Sequence, residues 1–155
     1  MIEKKDKFKL VGLQLKGKTT NQNNQSSEDC GNLWQKFENE KIFDRIPKKL
    51  SNEIYAVYFD YEKDETSPFS YFIGCKVAND AEPPQELSEL KIPDQKYIKY
   101  TAKGVMTGCI TDTWKKIWNS DLNREFGFDF EVYDERSQDW NDAEVDVFIS
   151  VASNL

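Results

Sequence analysis

Alternating hydrophobic and polar positions predict two β-strands near the C-terminal end of the chain. In the first strand, Phe126, Phe128, Phe130 and Val132 alternate with Gly127, Asp129, Glu131 and Tyr133. In the second, Val145, Val147, Ile149 and Val151 alternate with Glu144, Asp146, Phe148 and Ser150. A period of two gives each strand two different faces. One set predicts a core face, and the other mixes carboxylates with aromatic rings, as a pocket for a cationic or amphipathic small molecule would.

The same reasoning predicts further strands and two helices upstream. The predicted strands cover residues 8–16, 53–61, 69–77 and 95–104. A helix beginning near Ser26 has Cys30, Leu33, Trp34 and Phe37 on one face, and a second has Ile110, Trp114, Ile117 and Trp118. Residues 81–92 contain two adjacent prolines and are expected to form a connector. The predicted order is strand–helix–strand–strand, twice.

A weak internal repeat accompanies this order. Residues 33–37 resemble 113–117, and residues 57–62 resemble 132–135. We therefore predict a single domain over residues 1–155, made of two halves at about 7–80 and 88–153. A cleft between related halves is a natural ligand site.

Composition narrows the possible functions. The 155 residues carry a net charge of −7 and show no basic stripe, so direct nucleic-acid binding is not expected. The chain has no histidine and three widely separated cysteines, which predicts no metal site, no cofactor and reduced thiols in the cytoplasm. No stretch is apolar enough for a signal peptide or a membrane span, so no membrane association is expected.

Several motifs taken in order resemble the GyrI-like effector-binding domains, which also occur at the C-terminus of AraC- and MerR-type multidrug-responsive regulators. The matching segments are residues 55–61 (YAVYFDY), 71–74 (YFIG), 114–118 (WKKIW), 130–136 (FEVYDER) and 144–151 (EVDVFISV). The resemblance implies an α+β fold of duplicated βαββ halves. These would form an antiparallel sheet with helices on one side and a ligand cleft on the other. The regulators place a DNA-binding module ahead of this domain, whereas here only residues 1–7 precede the first predicted strand.

The resemblance also implies binding of lipophilic, often cationic compounds, with Glu131 projecting into the cleft beside Tyr133. It places Asp146 and Phe148 of the closing strand in the same cleft. Trp114 and Tyr58 are further candidate ligand contacts, and Trp118 is assigned to the core. The competing interpretation of Glu131 is a solvated carboxylate on an uncovered sheet face.

Three functions remain open from the sequence. The first is a stand-alone small-molecule-binding domain that sequesters a compound or reports it to a partner such as a regulator. The second is an acidic protein-interaction module of the gyrase-inhibitor type. The third is a small-molecule hydrolase using the same cleft, although the chain offers neither a histidine-based nucleophile arrangement nor a glycine-rich phosphate loop.

Overall fold

A computed structural model of the protein describes residues 2–64 and 66–152. The strands are β1 (Ile2–Lys5), β2 (Phe8–Gln14), β3 (Ile54–Phe59), β4 (Ser70–Val77), β5 (Ser88–Ile92), β6 (Gln95–Gly104), β7 (Asp129–Tyr133) and β8 (Ala143–Ser150). The α-helices are α1 (Gln25–Asn39), α2 (Ile42–Arg45) and α3 (Met106–Trp118), with short 3-10 turns at Gln22–Asn24 and Glu135–Ser137. The predicted end of the second half, residue 153, lies outside the described residues.

All eight strands form one antiparallel sheet in the order β1-β6-β8-β7-β3-β4-β2-β5. The order is symmetric about the central β7–β3 pair. Going outward from it, the second half supplies β7, β8 and β6, and the first half supplies β3, β4 and β2. The predicted α+β fold with duplicated βαββ order is therefore confirmed.

Each half also has an extra strand at its start that the sequence analysis did not predict. β1 pairs with β6 of the second half, and β5 pairs with β2 of the first half. The segment expected to be only a connector thus ends in β5. Both strands are short, and much of their hydrogen bonding goes to the opposite half, so local sequence carries little signal for them.

The sheet is strongly curled, and its inner face carries no helix from the described residues. Phe8 on β2 and Phe130 on β7 are separated by two strands, which would put them about 14 Å apart in a flat sheet. Their ring centroids are only 5.7 Å apart. The curl buries an inner cluster of aromatic and aliphatic side chains: Leu10, Tyr55, Val57, Phe59, Phe72, Ile92, Tyr97, Phe130, Val132 and Phe148.

Helices α1 and α3 cover the outer face. Leu33 and Phe37 of α1 lie one helical turn apart and pack on β2 and β4, while Trp114 and Ile117 of α3 pack on β8. Both faces of the sheet are therefore buried. The two helices leave a gap above Tyr58 of β3, which lines the cleft described next.

Candidate ligand-binding cleft

The centre of the candidate site is Glu131 on β7, whose side chain lies on the outer, helix-covered face. It pairs in register with Ala56 of β3 on one side and Val147 of β8 on the other. The residue is only 1% exposed. The interpretation of Glu131 as a solvated surface carboxylate is therefore wrong.

Three neutral donors satisfy this buried carboxyl group. The Tyr58 hydroxyl and the Trp114 indole Nε1 donate to Oε2 at 2.8 and 2.7 Å, and the Tyr133 hydroxyl donates to Oε1 at 2.6 Å. These donors come from β3, α3 and β7, so the carboxyl group joins the two halves. Among residues 2–64 and 66–152, no lysine or arginine forms a salt bridge with it.

Burial raises the pKa of Glu131 above its ordinary value, because desolvation disfavours the charged form. The hydrogen bonds from Tyr133, Trp114 and Tyr58 act in the opposite direction and offset part of that rise. A carboxyl group with no cationic partner and a raised pKa is the kind of group that a positive charge can stabilise in its ionised form.

A cleft of about 360 Å³ opens between α1 and α3, above Tyr58 and Trp114. This volume is within the range of small-molecule sites in proteins. Its lining residues are Asn21, Ser26, Ser27, Cys30, Tyr58, Tyr61, Phe69, Ile110, Thr111, Trp114, Lys115, Trp118 and Arg124. The cleft and the helices thus lie on the same side of the sheet, which corrects the expectation of opposite sides. The inner face is instead filled by its own aromatic side chains.

The cleft wall is built from aromatic rings in mutual contact. Tyr58 packs edge-on against Trp114 with ring centroids 5.0 Å apart, and Trp114 lies 6.4 Å from Trp118. Trp118 is 38% exposed and stands at the rim, so its assignment to the core is wrong. Rings arranged this way offer π-faces to a flat or cationic ligand.

A second buried carboxylate, Asp129, lies two residues before Glu131 on the same face of β7. It is fully buried and accepts a 2.8 Å ion-pair hydrogen bond from Arg124 Nη2. Tyr61 and the main chain and hydroxyl of Ser150 donate to it as well. The charge of Asp129 is therefore compensated by Arg124, whereas no lysine or arginine of the described residues compensates that of Glu131.

Asp146 and Phe148 do not share the face of Glu131, so that prediction is wrong. The register pairs Phe148 with Phe130 and Asp146 with Val132, all of which lie on the inner face. Asp146 accepts a 2.8 Å ion-pair hydrogen bond from Arg136. Burial opposes ionisation of Asp146, but the hydrogen bonds from Arg136 and Thr101 outweigh it and lower its pKa.

These two residues line a separate hollow of about 410 Å³ at the edge of the inner face. There the Lys5 ammonium lies 4.4 Å from the centre of the Phe148 ring. Because the carboxylate is paired and the ring already faces a cation, this hollow is a poor match for the predicted cation site.

Of the six predicted site residues, the structure brings together Glu131, Tyr133, Trp114 and Tyr58. Tyr61 and Arg124 also line the cleft but were not among the predicted site residues, and Trp118 lines it although core packing was preferred to ligand contact. The alternation of β7 already placed Asp129 on the face of Glu131, and this was the available signal for a second buried polar centre.

The curled eight-stranded antiparallel sheet with its two covering helices is the fold of the GyrI-like effector-binding domains. A model of the Cass2 family, described as integron-associated effector binding protein, matches residues 1–151, and the chain belongs to this family.

Similar proteins agree with this assignment. The integron cassette protein VCH_CASS2 of Vibrio cholerae has 27% sequence identity and a TM-score of 0.73, covering 98% of this chain and 95% of that protein. SAV2435, solved bound to tetraphenylphosphonium, has a TM-score of 0.80 and covers 99% and 93%, but at 14% identity it shows the fold alone.

A further relative is YobU of Bacillus subtilis (strain 168), a candidate transcriptional regulator. It is 27% identical over 101 residues, which are 63% of each chain, so the match spans less than two thirds of YobU.

Within residues 2–64 and 66–152, no helix is long and apolar enough to cross a membrane.

Proposed function

We propose that this protein binds lipophilic organic cations in the cleft between α1 and α3, with Glu131 supplying the counter-charge. The supporting observation is a buried carboxyl group that, among the described residues, is held only by neutral donors, directly beneath an aromatic cleft. That SAV2435 shares the fold and was solved with tetraphenylphosphonium is consistent with this class of ligand.

The cation would rest against the rings of Tyr58 and Trp114, and Glu131 would lie behind them. Each cation–π contact contributes roughly 0.5–2 kcal/mol. At a separation of roughly 7 Å and an effective dielectric constant of about 20, the carboxylate adds about 2 kcal/mol. Both contributions favour a cation over a neutral molecule of the same shape. A bulky aromatic cation also loses little hydration on entering an apolar cleft.

We further propose that the domain acts in the cytoplasm, either sequestering the compound or reporting it to a partner protein. The three cysteines are all unpaired, which supports a reducing compartment.

A pair of probes with matched shape and opposite charge tests the cation preference. Tetraphenylphosphonium and tetraphenylborate differ mainly in the sign of their charge, and the rings of Trp114 and Trp118 report binding by fluorescence. We expect the phosphonium to quench at a lower concentration than the borate. Glu131→Gln should weaken phosphonium binding by roughly 30-fold, which corresponds to about 2 kcal/mol.

Glu135→Gln is the matched control, because it removes one negative charge from an exposed turn outside the cleft. It should leave phosphonium binding within about twofold, since an exposed charge is screened by solvent. Equal binding of both probes, or equal effects of the two variants, would exclude Glu131 as the counter-charge.

A further inference from the structure

Arg124 provides a second polar feature in the cleft. Its side chain is only 6% exposed, and it lines the cavity between α1 and α3. Nη2 donates to Asp129 at 2.8 Å. Among residues 2–64 and 66–152, no group accepts a hydrogen bond from Nε or Nη1, and both nitrogens are shielded from water.

The surroundings hold the guanidinium firmly in this position. Its central carbon lies 4.3 Å from the centre of the Phe126 ring and 5.9 Å from those of Tyr61 and Trp114. Phe126 adopts a φ of 54°, a conformation that is strained for a bulky residue. The main chain of Arg124 is fixed by an antiparallel bridge to Val151.

Buried donors without acceptors are rare in folded proteins, because leaving them unpaired costs free energy. Asp129 balances the charge of Arg124 but occupies only one of its nitrogens. Both nitrogens are shielded from water in the free protein, so an oxygen reaches them only when a ligand displaces a covering side chain such as Phe126. The remaining N–H groups then suit an acceptor oxygen on a molecule that enters the cleft. A hydrogen bond from a guanidinium is charge-assisted, and it is stronger than one between neutral groups.

We infer that the cleft contains a second subsite, centred on Arg124, that takes an acceptor oxygen such as a ketone, ester or carboxylate oxygen of the ligand. The ligand class is then an aromatic cation that also carries such an oxygen, rather than a purely hydrocarbon cation. This inference rests on the proposed function, because it concerns ligands of the same cleft.

A set of small matched probes tests the subsite. Phenyltrimethylammonium is the parent compound, 4-acetylphenyltrimethylammonium adds a neutral acceptor, and 4-carboxyphenyltrimethylammonium adds a charged one. We expect the acetyl probe to bind about tenfold more tightly than the parent, a difference of about 1.4 kcal/mol. The carboxylate probe should also bind more tightly than the parent, and weaker binding than the parent would count against the subsite.

The matched variant is the double substitution Arg124→Met with Asp129→Asn, which removes the ion pair without leaving a lone buried charge. In this variant the acetyl probe and the parent should bind equally. The ¹⁵N resonance of Arg124 Nε gives a readout on the unmodified protein. It should shift on addition of the acetyl probe and stay in place with the parent, which decides the question even if the double variant does not fold.

Neutral analogues separate this inference from the proposed function. In 4-tert-butylacetophenone and tert-butylbenzene, carbon replaces the ammonium nitrogen. If the acetyl preference persists in these analogues while they bind as tightly as the ammonium probes, the acceptor subsite stands and the cation preference fails. If ammonium probes bind better but the acetyl group gives no advantage, or its advantage survives in the double variant, the Arg124 subsite is refuted.

Discussion

Replacing Glu131 by glutamine should make the stability of the protein less dependent on pH, and this prediction tests the buried carboxyl group directly. The amide has the same shape as the acid and can keep all three hydrogen bonds. Its oxygen can accept from Tyr58 and Trp114 in place of Oε2. Its NH₂ group can donate to Tyr133, whose hydroxyl then acts as the acceptor. The substitution therefore removes the ionisable group and little else.

The direction of the effect follows from the raised pKa of Glu131 in the folded protein. An acid with a raised folded pKa holds its proton more tightly in the native state than in the unfolded state. The stability from this difference is fully present below the ordinary pKa of 4.5 and is lost as pH rises through the folded value. As pH rises above 4.5, the free energy of unfolding of the native protein should therefore fall relative to that of Glu131→Gln.

The size of the effect is limited by one proton, which gives at most about 1.4 kcal/mol per pH unit. Below pH 4.5 the difference between the two proteins should be constant. It should then grow in favour of the glutamine variant and level off above the folded pKa. Because cation binding favours the ionised carboxylate, the affinity for tetraphenylphosphonium should rise with pH over the same interval.

Urea unfolding of both proteins between pH 4 and pH 9 measures this difference. The other buried groups of the site are common to both proteins and largely cancel, and the pKa values of Tyr58 and Tyr133 lie well above this range. A difference that does not change with pH would refute the reasoning. A native protein that gains stability relative to the variant as pH rises would show that the three donors outweigh desolvation.

Three other substitutions or reactions test the fold and the cleft. Gly12→Ala should destabilise the protein by about 3 kcal/mol, because the new Cβ would overlap the Ile73 carbonyl oxygen where β2 and β4 approach closely. Gly31→Ala, in open space on α1, should instead stabilise the protein by about 0.5–1 kcal/mol. Urea unfolding measures the free energy of unfolding of both variants. A similar effect of the two substitutions would contradict the close approach of β2 and β4. Burial raises the pKa of the Cys30 thiol from 9.0 to about 12, so its alkylation by iodoacetamide at pH 8 should be about a thousandfold slower than that of a free thiol. Mass spectrometry of the labelled peptide checks this rate, and labelling as fast as that of a free thiol would mean that the cleft wall opens.

Much of the fold was accessible from the sequence because its central strands have strong local patterns. The segments containing β3, β4, β7 and β8 alternate clearly, and α1 and α3 carry apolar residues at helical spacing. The edge strands β1 and β5 were missed. They are short, partly polar and stabilised by pairing with the opposite half, which no local pattern records.

Only part of the site was predicted correctly, because both faces of the sheet are buried and the sequence pattern does not tell them apart. The core-like set of β7, with Phe130 and Val132, faces inward, whereas the core-like set of β8, with Val145 and Val147, faces outward under α3. Alternation shows that a strand has two faces but not which face matches that of its neighbour. Register decides this, and a shift of one residue exchanges the faces. Asp146 and Phe148 were assigned to the wrong side for this reason.

The two carboxylates of β7 explain how one strand can serve both stability and the proposed binding. Asp129 and Glu131 face the same side, both are buried, and both receive tyrosine hydroxyls from the β3 side of the sheet. Of the two, only Asp129 also has a guanidinium partner among the described residues, so its charge is compensated when the chain folds. Glu131 lacks a cation among the described residues, and a buried carboxylate without one gains more from an incoming positive charge than a paired carboxylate does. The arrangement that makes Glu131 costly to ionise in the free protein is therefore the same one that would give the proposed cationic ligand its advantage.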